Sequence, residues 1–313
     1  MTGGEGNPTW SHAPGPAAAP SDIMGAGGVR LRTWSWPVEY ARGRVQLTHG
    51  LSEHLGRYRE VAGVLMRAGW SVFGHDHRGH GESDGERGVL RDFDHLVQDV
   101  AAVRERADDL APGPGRPLLL GHSMGGLVAL RYLQSAGEPP PRVVISAPWL
   151  GTRVVLPLWQ RIAARALRYV APEFVLKRAL DTSLLTRDQE LGDAYRDDPT
   201  IHRCGSAGLL AQVERAQAAA LGDGVPGHSR VLLLVPLDDR VTDPERTQEW
   251  AARVGPERIQ VVRLPGVRHE PFQDIERATV LRTVADWLNE GTPDESVPGT
   301  DTRYERRNGF HEE

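Results

Sequence analysis

The chain has 313 residues, of which 39% are hydrophobic and 25% are charged, as in an ordinary globular protein with a sizeable core. Its formal net charge is -5, so it lacks the basic field that gathers nucleic acid, and we expect no nucleic-acid partner. A single cysteine, Cys204, excludes an internal disulfide and a zinc ribbon.

The two ends of the chain differ in composition from its middle. Residues 1–25 are rich in Gly, Pro and Ala and predict a disordered leader, without the basic and apolar regions of a secretory signal. Residues 291–313 are poor in apolar side chains and predict a disordered polar tail. No run approaches the roughly 20 apolar residues that a membrane span requires. These features predict a cytoplasmic protein.

Between these ends, short apolar runs alternate with helical patterns. The runs are apolar on both faces, which is typical of parallel strands covered by helices. They lie at residues 45–48, 71–73, 117–120, 143–146, 231–235 and 259–262. Apolar residues at helical spacing lie at 58–68, 93–110 and 278–288. The alternation predicts an α/β fold with a mostly parallel, doubly wound sheet.

The alternation stops between residues 151 and 226, where no strand-like run is visible and several helical patterns follow one another. An insertion after one strand and before the next lies near the carboxyl edge of such a sheet, where ligands bind. We therefore expect a helical cap at 151–226, and a core that is built from residues 26–150 and 227–290.

One pentapeptide, Gly121-His122-Ser123-Met124-Gly125, lies between an apolar run and a helical pattern. A serine hydroxyl is a weak nucleophile, so it must be exposed beside a base, and a tight strand-to-helix turn with flanking glycines exposes it. The helix N-terminus adds amides and positive potential where an oxyanion would form. In a chain with 35 glycines the pattern alone could arise by chance. Its position in the fold favours Ser123 as a nucleophile.

The partners of such a serine follow in the order acid, then histidine, each in a loop after a later strand. Of the three histidines beyond the cap, His311 lies in the predicted tail and His228 precedes a strand. This leaves His269 as the base. Asp238 and Asp239 both follow the preceding strand, and spacing alone does not separate them. The unused one would be a solvated turn carboxylate.

A second kind of site is conceivable at His75, His77 and His80, which with Asp76 could be read as metal ligands. These residues lie in a glycine-rich turn, which favours a hydrogen-bonded structural loop instead. We therefore predict no metal and no organic cofactor.

Four motifs resemble the monoacylglycerol lipase and lysophospholipase group of α/β-hydrolases and occur in that group's order. They are HGLSEH at 49–54, DHRGHGES at 76–83, GHSMGG at 121–126 and the pair Asp239 and His269. The likeness runs from about residue 29 to 288. It implies an α/β-hydrolase fold with a helical cap, and a serine carboxylester hydrolase that cleaves monoacyl lipids through an acyl-enzyme. A serine peptidase, another small-molecule esterase and a non-catalytic binding protein are the alternatives on this fold.

The resemblance also assigns roles to individual residues. It implies Ser123, Asp239 and His269 as the catalytic triad, with Asp239 favoured over its neighbour. It further implies that the backbone amides of Leu51 and Met124 form the oxyanion hole.

Three more side chains match positions that line the polar headgroup end of the lipase pocket: Glu53, Arg57 and Tyr195. The chain departs from the group at three places. Ser52 and Pro236 stand where glycine is usual, and Phe272 stands where the lipase offers a polar histidine to the glycerol. The last departure leaves the headgroup of the small lipid ester open.

The cap helix near Trp159 has two interpretations. Apolar side chains at 159, 162, 166 and 170 share one face, and arginines at 161, 165 and 168 lie opposite. The helix could be a lid that packs on the core, or an interfacial helix that contacts a membrane or micelle transiently. The sequence leaves both open, and with them a peripheral membrane location.

Overall fold

A computed structural model describes residues 16–153, 166–177 and 181–290. Its strands are β1 (Ala19–Met24), β2 (Arg30–Trp36), β3 (Gly43–Thr48), β4 (Trp70–His75), β5 (Leu118–His122), β6 (Arg142–Ser146), β7 (Val175–Lys177), β8 (Cys204–Ser206), β9 (Arg230–Pro236) and β10 (Ile259–Leu264). Its helices are α1 (Arg59–Arg67), α2 (Asp94–Glu105), α3 (Ala107–Leu110), α4 (Met124–Ser135), α5 (Gln189–Asp197), α6 (Ala207–Gly222), α7 (Pro244–Val254) and α8 (Arg277–Asn289). Residues 166–170 are also helical.

Eight of these strands form one sheet in the order β1-β2-β4-β3-β5-β6-β9-β10. From β4 through β10 the neighbours are parallel, whereas β1 pairs with β2 and β2 with β4 in antiparallel fashion. The predicted α/β-hydrolase fold with a mostly parallel sheet is therefore confirmed. The carboxyl ends of β3, β5, β6, β9 and β10 share one edge, and loops from that edge build the site described below.

Helices cover both faces of the sheet because its central strands are apolar on both sides. Two successive residues of β5, Leu119 and Leu120, point to opposite faces of the sheet and belong to two different buried clusters. Leu120 lies in the cluster that includes α1 and α8, and Leu119 lies in the cluster that includes α2, α4, α6 and α7. The core thus sits in two layers, one on each side of the sheet.

The expected disordered leader is wrong for residues 19–24. They form β1, which pairs over six positions with β2. Ile23 is buried with Leu31 and Phe73, so one apolar side chain anchors an otherwise exposed strand. An edge strand takes its hydrogen bonds from one neighbour and needs no apolar run, which is why the composition did not reveal it. Residues 1–15 and the predicted tail lie outside the described residues.

The segment expected to be a helical cap contains a small antiparallel sheet of β7 and β8 in addition to α5 and α6. Each of these strands has three residues, too few for a periodic pattern. The face of α6 that carries Leu209 and Val213 packs on the cluster that contains α4. Most of the helix predicted near Trp159 lies outside the described residues, and the cap as a separate unit stays a prediction.

Within the described ranges, no helix has the length and apolarity that crossing a bilayer would take. The predicted cytoplasmic location stays a prediction.

Candidate active site

Ser123 occupies the turn between β5 and α4 in a strained conformation, with φ 54° and ψ -117°. Its amide donates to the carbonyl of Ser146 at 2.9 Å, and its own carbonyl accepts the amide of Trp149 at 3.0 Å. A Cβ atom at Gly121 would clash with the carbonyl of Gly125, and one at Gly125 would clash with the carbonyl of Thr48. Both glycines are needed because backbones pass there at close range.

A hydrogen-bond chain links three side chains from the loops after β5, β9 and β10. The Ser123 Oγ atom lies 3.0 Å from Nε2 of His269, and Nδ1 of His269 lies 2.8 Å from Oδ2 of Asp239. All three residues are buried. The structure thus brings together the serine, the histidine and one of the two aspartates that the sequence singled out, in the geometry of a nucleophile, a base and an orienting acid.

The two adjacent aspartates differ in burial and in their hydrogen bonds. Asp239 Oδ1 accepts the amides of Val241 at 2.7 Å and Thr242 at 2.9 Å, and its Oδ2 accepts the Thr242 hydroxyl at 2.6 Å. Asp238 is exposed. Spacing could not separate the two, but burial does, because only Asp239 faces the histidine. Pro236, at the unusual position before them, closes β9 opposite Leu264.

The surroundings of the pair lower the pKa of Asp239 and raise the pKa of His269. Burial raises the pKa of Asp239, but the charge of His269 and the hydrogen bonds from His269, Thr242 and Val241 outweigh it and leave that pKa below its usual value. Burial lowers the pKa of His269, but Asp239, with smaller contributions from Glu270 and Glu53, raises it above its usual value. A raised pKa makes His269 a stronger base and stabilises the imidazolium that proton transfer would create.

Of the two expected oxyanion donors, Met124 directly follows Ser123 in the chain, and Leu51 follows Gly50, which lies close to Ser123. Met124 is the first residue of α4, so its amide has no acceptor within the helix. Within the described chain, no acceptor is bonded to the Leu51 amide. A Cβ atom on Gly50 would lie 3.2 Å from the Cβ atom of Ser123, so this loop passes directly over the serine. Ser52, the residue after Leu51, has φ 73°, a backbone conformation that favours glycine, which explains why glycine is usual there.

The three expected headgroup residues meet in one buried cluster, but they are paired with one another and with a carboxylate that the sequence did not single out. The Arg57 guanidinium forms two hydrogen bonds with Glu270, of 2.9 and 2.6 Å, and also contacts Glu53. It lies over the Tyr195 ring at 4.5 Å. Glu270 directly follows His269 in the sequence, and that adjacency was the available signal.

Phe272 replaces an expected polar group with an apolar surface next to the site. It is 2% exposed and makes edge-on contacts with Tyr58 at 6.4 Å and His122 at 6.2 Å between ring centroids. The His122 ring in turn lies 5.0 Å from that of His269. The side chain at position 272 therefore offers no hydrogen bond to a substrate headgroup.

The histidine-rich turn at residues 75–80 is buried and contacts the end of β3 and the start of the oxyanion loop, the segment that carries Leu51. The His77 amide donates to Nε2 of His49 at 2.9 Å, and the His77 Nε2 atom lies 2.9 Å from the Thr48 hydroxyl. Burial lowers the pKa of His75 and of His77 to about 3, so both rings are neutral at pH 7. Asp76 accepts the amides of Leu55 and Glu82. In the described part of the chain, no group of three or more His, Cys, Asp or Glu residues is arranged to hold a metal ion.

A mostly parallel sheet that presents a serine on a strand-to-helix turn, facing a histidine and an aspartate from later loops, defines an α/β-hydrolase. Residues 39–276 match the family model Hydrolase_4, described as serine aminopeptidase, S33. A monoacylglycerol lipase of Mycolicibacterium smegmatis is 34% identical over 272 residues, which cover 85% of this chain and 95% of that protein. The monoglyceride lipase of Homo sapiens is 33% identical over 271 residues, which cover 80% of this chain and 86% of that protein.

Among solved structures, the monoacylglycerol lipase of Paleococcus ferrophilus superposes with a TM-score of 0.75 at 29% identity, covering 84% of this chain and 99% of that one. The chain belongs to the Hydrolase_4 family and, within it, to the monoacylglycerol lipase group of α/β-hydrolases. The predicted resemblance is therefore confirmed, and with it the class of carboxylic ester hydrolase.

Proposed function

We propose that the protein hydrolyses the ester bond of monoacyl lipids through an acyl-enzyme on Ser123. The observation that carries the proposal is the continuous hydrogen-bond chain from Ser123 Oγ through His269 to Asp239. It occurs in a chain whose relatives include a monoacylglycerol lipase and a monoglyceride lipase.

In the first half-reaction, Ser123 Oγ attacks the ester carbonyl while His269 Nε2 takes the hydroxyl proton. The carbonyl oxygen becomes an oxyanion that accepts hydrogen bonds from the amides of Leu51 and Met124. Collapse of the tetrahedral intermediate breaks the bond to the alcohol, which leaves with the proton from His269. In the second half-reaction, water attacks the carbonyl of the acyl-enzyme while His269 takes a proton from the water. The bond between the acyl carbon and Ser123 Oγ then breaks, His269 returns the proton to Oγ, and the fatty acid is released.

The buried cluster of Glu53, Arg57 and Glu270 favours a neutral headgroup. Two carboxylates and one guanidinium give the cluster a formal charge of about -1, so it would repel a phosphate group. Arg57 could not offset this repulsion, because it is already paired with both carboxylates. We therefore place the polar end of a glycerol monoester, rather than an anionic lysophospholipid, beside Arg57 and Tyr195.

We further propose that the cap contacts a lipid surface. Four large apolar side chains within eight residues of the cap segment are more than half exposed: Tyr169, Val170, Phe174 and Leu176. Val170 belongs to the apolar face that could have packed on the core, yet it is 79% exposed. Its exposure favours the interfacial interpretation over a lid packed on the core.

The test uses purified protein and a fluorophosphonate probe, with Ser123→Ala as the control. We expect labelling of the wild type alone, followed by fastest hydrolysis of monoacylglycerols in a panel with lysophospholipids, p-nitrophenyl esters and aminoacyl amides. Fastest cleavage of an aminoacyl amide would favour the peptidase that the family description suggests. A folded wild type that is neither labelled nor active would favour a non-catalytic binding protein.

A further inference from the structure

A buried ion cluster joins two loops of the site. Arg57 pairs with Glu270 through its two terminal guanidinium nitrogens, at 2.9 and 2.6 Å, and one of these nitrogens also contacts Glu53. Glu53 Oε1 accepts the Gly50 amide at 2.6 Å and the Tyr58 hydroxyl at 2.8 Å. We call the set Glu53, Arg57 and Glu270 the Arg57 clamp.

The clamp joins two loops of the site. The oxyanion loop follows β3 and carries Leu51, and the histidine loop follows β10 and carries His269. Glu53 holds the amide of Gly50, the residue before Leu51, while Glu270 follows His269 directly. The backbone of Arg57 is bound to the histidine loop a second time, because its carbonyl accepts the Gln273 side-chain amide at 2.8 Å. The oxyanion loop and the histidine loop are therefore connected through one guanidinium.

We propose that Arg57 and Glu270 are positioning residues for ester hydrolysis: their ion pair fixes His269 relative to the oxyanion loop that carries Leu51. The inference rests on the proposed function, because it assigns these residues a part in that reaction. A bidentate guanidinium–carboxylate pair fixes orientation as well as distance. Misplacing reacting groups by about 1 Å can cost roughly 100-fold in rate, so a rigid link between these loops has direct kinetic value.

Stability alone does not account for such a cluster. Buried ion pairs recover little more than the cost of removing their charges from water, and apolar replacements are often as stable. Here Arg57 lies between two buried carboxylates. The clamp is better explained by what it orients than by what it contributes to folding.

The clamp also sets the charge around the base. The carboxylates of Asp239, Glu270 and Glu53 act on His269, and the His122 ring lies 5.0 Å from it. Arg57 is paired with Glu270 and Glu53. Burial lowers the pKa of His269 and Asp239 raises it most, while Glu270 and Glu53 raise it further. The positive charge of Arg57 opposes these two carboxylates. Removing Glu270 and removing Arg57 should therefore move the pKa of His269 in opposite directions.

The experiment measures kcat and KM against pH for p-nitrophenyl butyrate, which has no glycerol headgroup, in Glu270→Gln, Arg57→Lys and Arg57→Met. In Glu270→Gln we expect the acidic limb of kcat/KM to move down by roughly half to one pH unit. We also expect kcat to fall about tenfold or more with little change in KM, since the substrate does not contact the clamp. Arg57→Met should move the limb upward, and Arg57→Lys should restore its position while recovering kcat only in part.

Asp99→Asn provides a matched control, because Asp99 forms an equally buried two-pronged pair with Arg78 elsewhere in the fold. It should lower the melting temperature without moving the pH profile. If Arg57→Met does not fold, Glu270→Gln and Arg57→Lys still decide the question.

A Glu270→Gln enzyme with the wild-type kcat and pH limb would overturn the inference. So would an effect confined to KM for monoacylglycerol, which would make the clamp a headgroup contact only. Failure of the proposed function looks different, because the wild type itself would then be inactive and unlabelled by fluorophosphonate, or would cleave an aminoacyl amide faster than a monoacylglycerol.

Discussion

His269 Nδ1 is hydrogen-bonded to Oδ2 of Asp239 at 2.8 Å, and that carboxylate is completely buried. An acid in this position holds the imidazole in the tautomer that presents Nε2 to the serine. We expect Asp239→Asn to lower kcat by about 10⁴-fold, because the amide would favour the wrong tautomer. Asp238→Asn is the matched control and should stay within about twofold, since Asp238 is exposed. Steady-state kinetics on a short p-nitrophenyl ester measure both, and equal losses would contradict the assignment.

The pH dependence of hydrolysis follows from the raised pKa of His269. The neutral imidazole is the base, so activity is lost as pH falls through this pKa. The acidic limb of kcat/KM should therefore lie above about 6.5, the ordinary value for histidine. The protonated ring paired with Asp239 stabilises the fold below about pH 6.5, and this contribution is lost as pH rises through the raised pKa. A limb centred well below pH 6 would contradict the expected direction.

The glycine after the serine turn should be irreplaceable. In Gly125→Ala the added Cβ would overlap the Thr48 carbonyl, so the α4 terminus or β3 must move. We expect activity to fall at least about 100-fold and stability to fall by about 2 kcal/mol or more. Gly222→Ala is the control, because nothing lies within 4 Å of its added Cβ. Urea denaturation and fluorophosphonate labelling would detect the difference, and a fully active Gly125→Ala protein would show that the turn is less tightly packed.

Contact of the cap with lipid predicts a selective loss on polar substitution. Val170 and Phe174 are exposed, and burying two such side chains in a membrane contributes a few kcal/mol. Val170→Asp combined with Phe174→Asp should weaken binding to phosphatidylcholine vesicles by about tenfold or more in sedimentation. Met24→Asp changes an equally exposed apolar residue on β1 and should bind as the wild type does. Equal binding by all three proteins would favour the lid interpretation.

Strands at the centre of the sheet could be predicted because burial on both faces leaves a continuous apolar run. The run at 143–146 lies within β6, and the run at 231–235 lies within β9. β1 left no such pattern, because only Ile23 of its six residues is buried. The strands β7 and β8 were too short to show any period. The hydrophobic pattern of the sequence thus reveals strands in which most side chains are buried, and it does not reveal exposed strands at the edge of the sheet.

Residues of the site were found where the order along the chain restricts the choice. Ser123 and His269 follow from the sequence of strands, whereas Asp238 and Asp239 needed the fold to decide which one points inward. Glu270 was missed because its meaning depends on Arg57, a partner 213 positions away. A charge next to a candidate base is unremarkable until the facing loop is known.

The edge strand β1 covers the backbone edge of β2. Its backbone groups are paired with those of β2 from Ala19 to Met24, so β2 does not present a free edge. A shortened chain that began at residue 26 would uncover that row of amides and carbonyls, next to the tryptophans at 34 and 36. Such an edge is a template for pairing between chains. A segment that resembles a dispensable leader therefore covers the backbone edge of β2 and becomes the edge of the sheet itself.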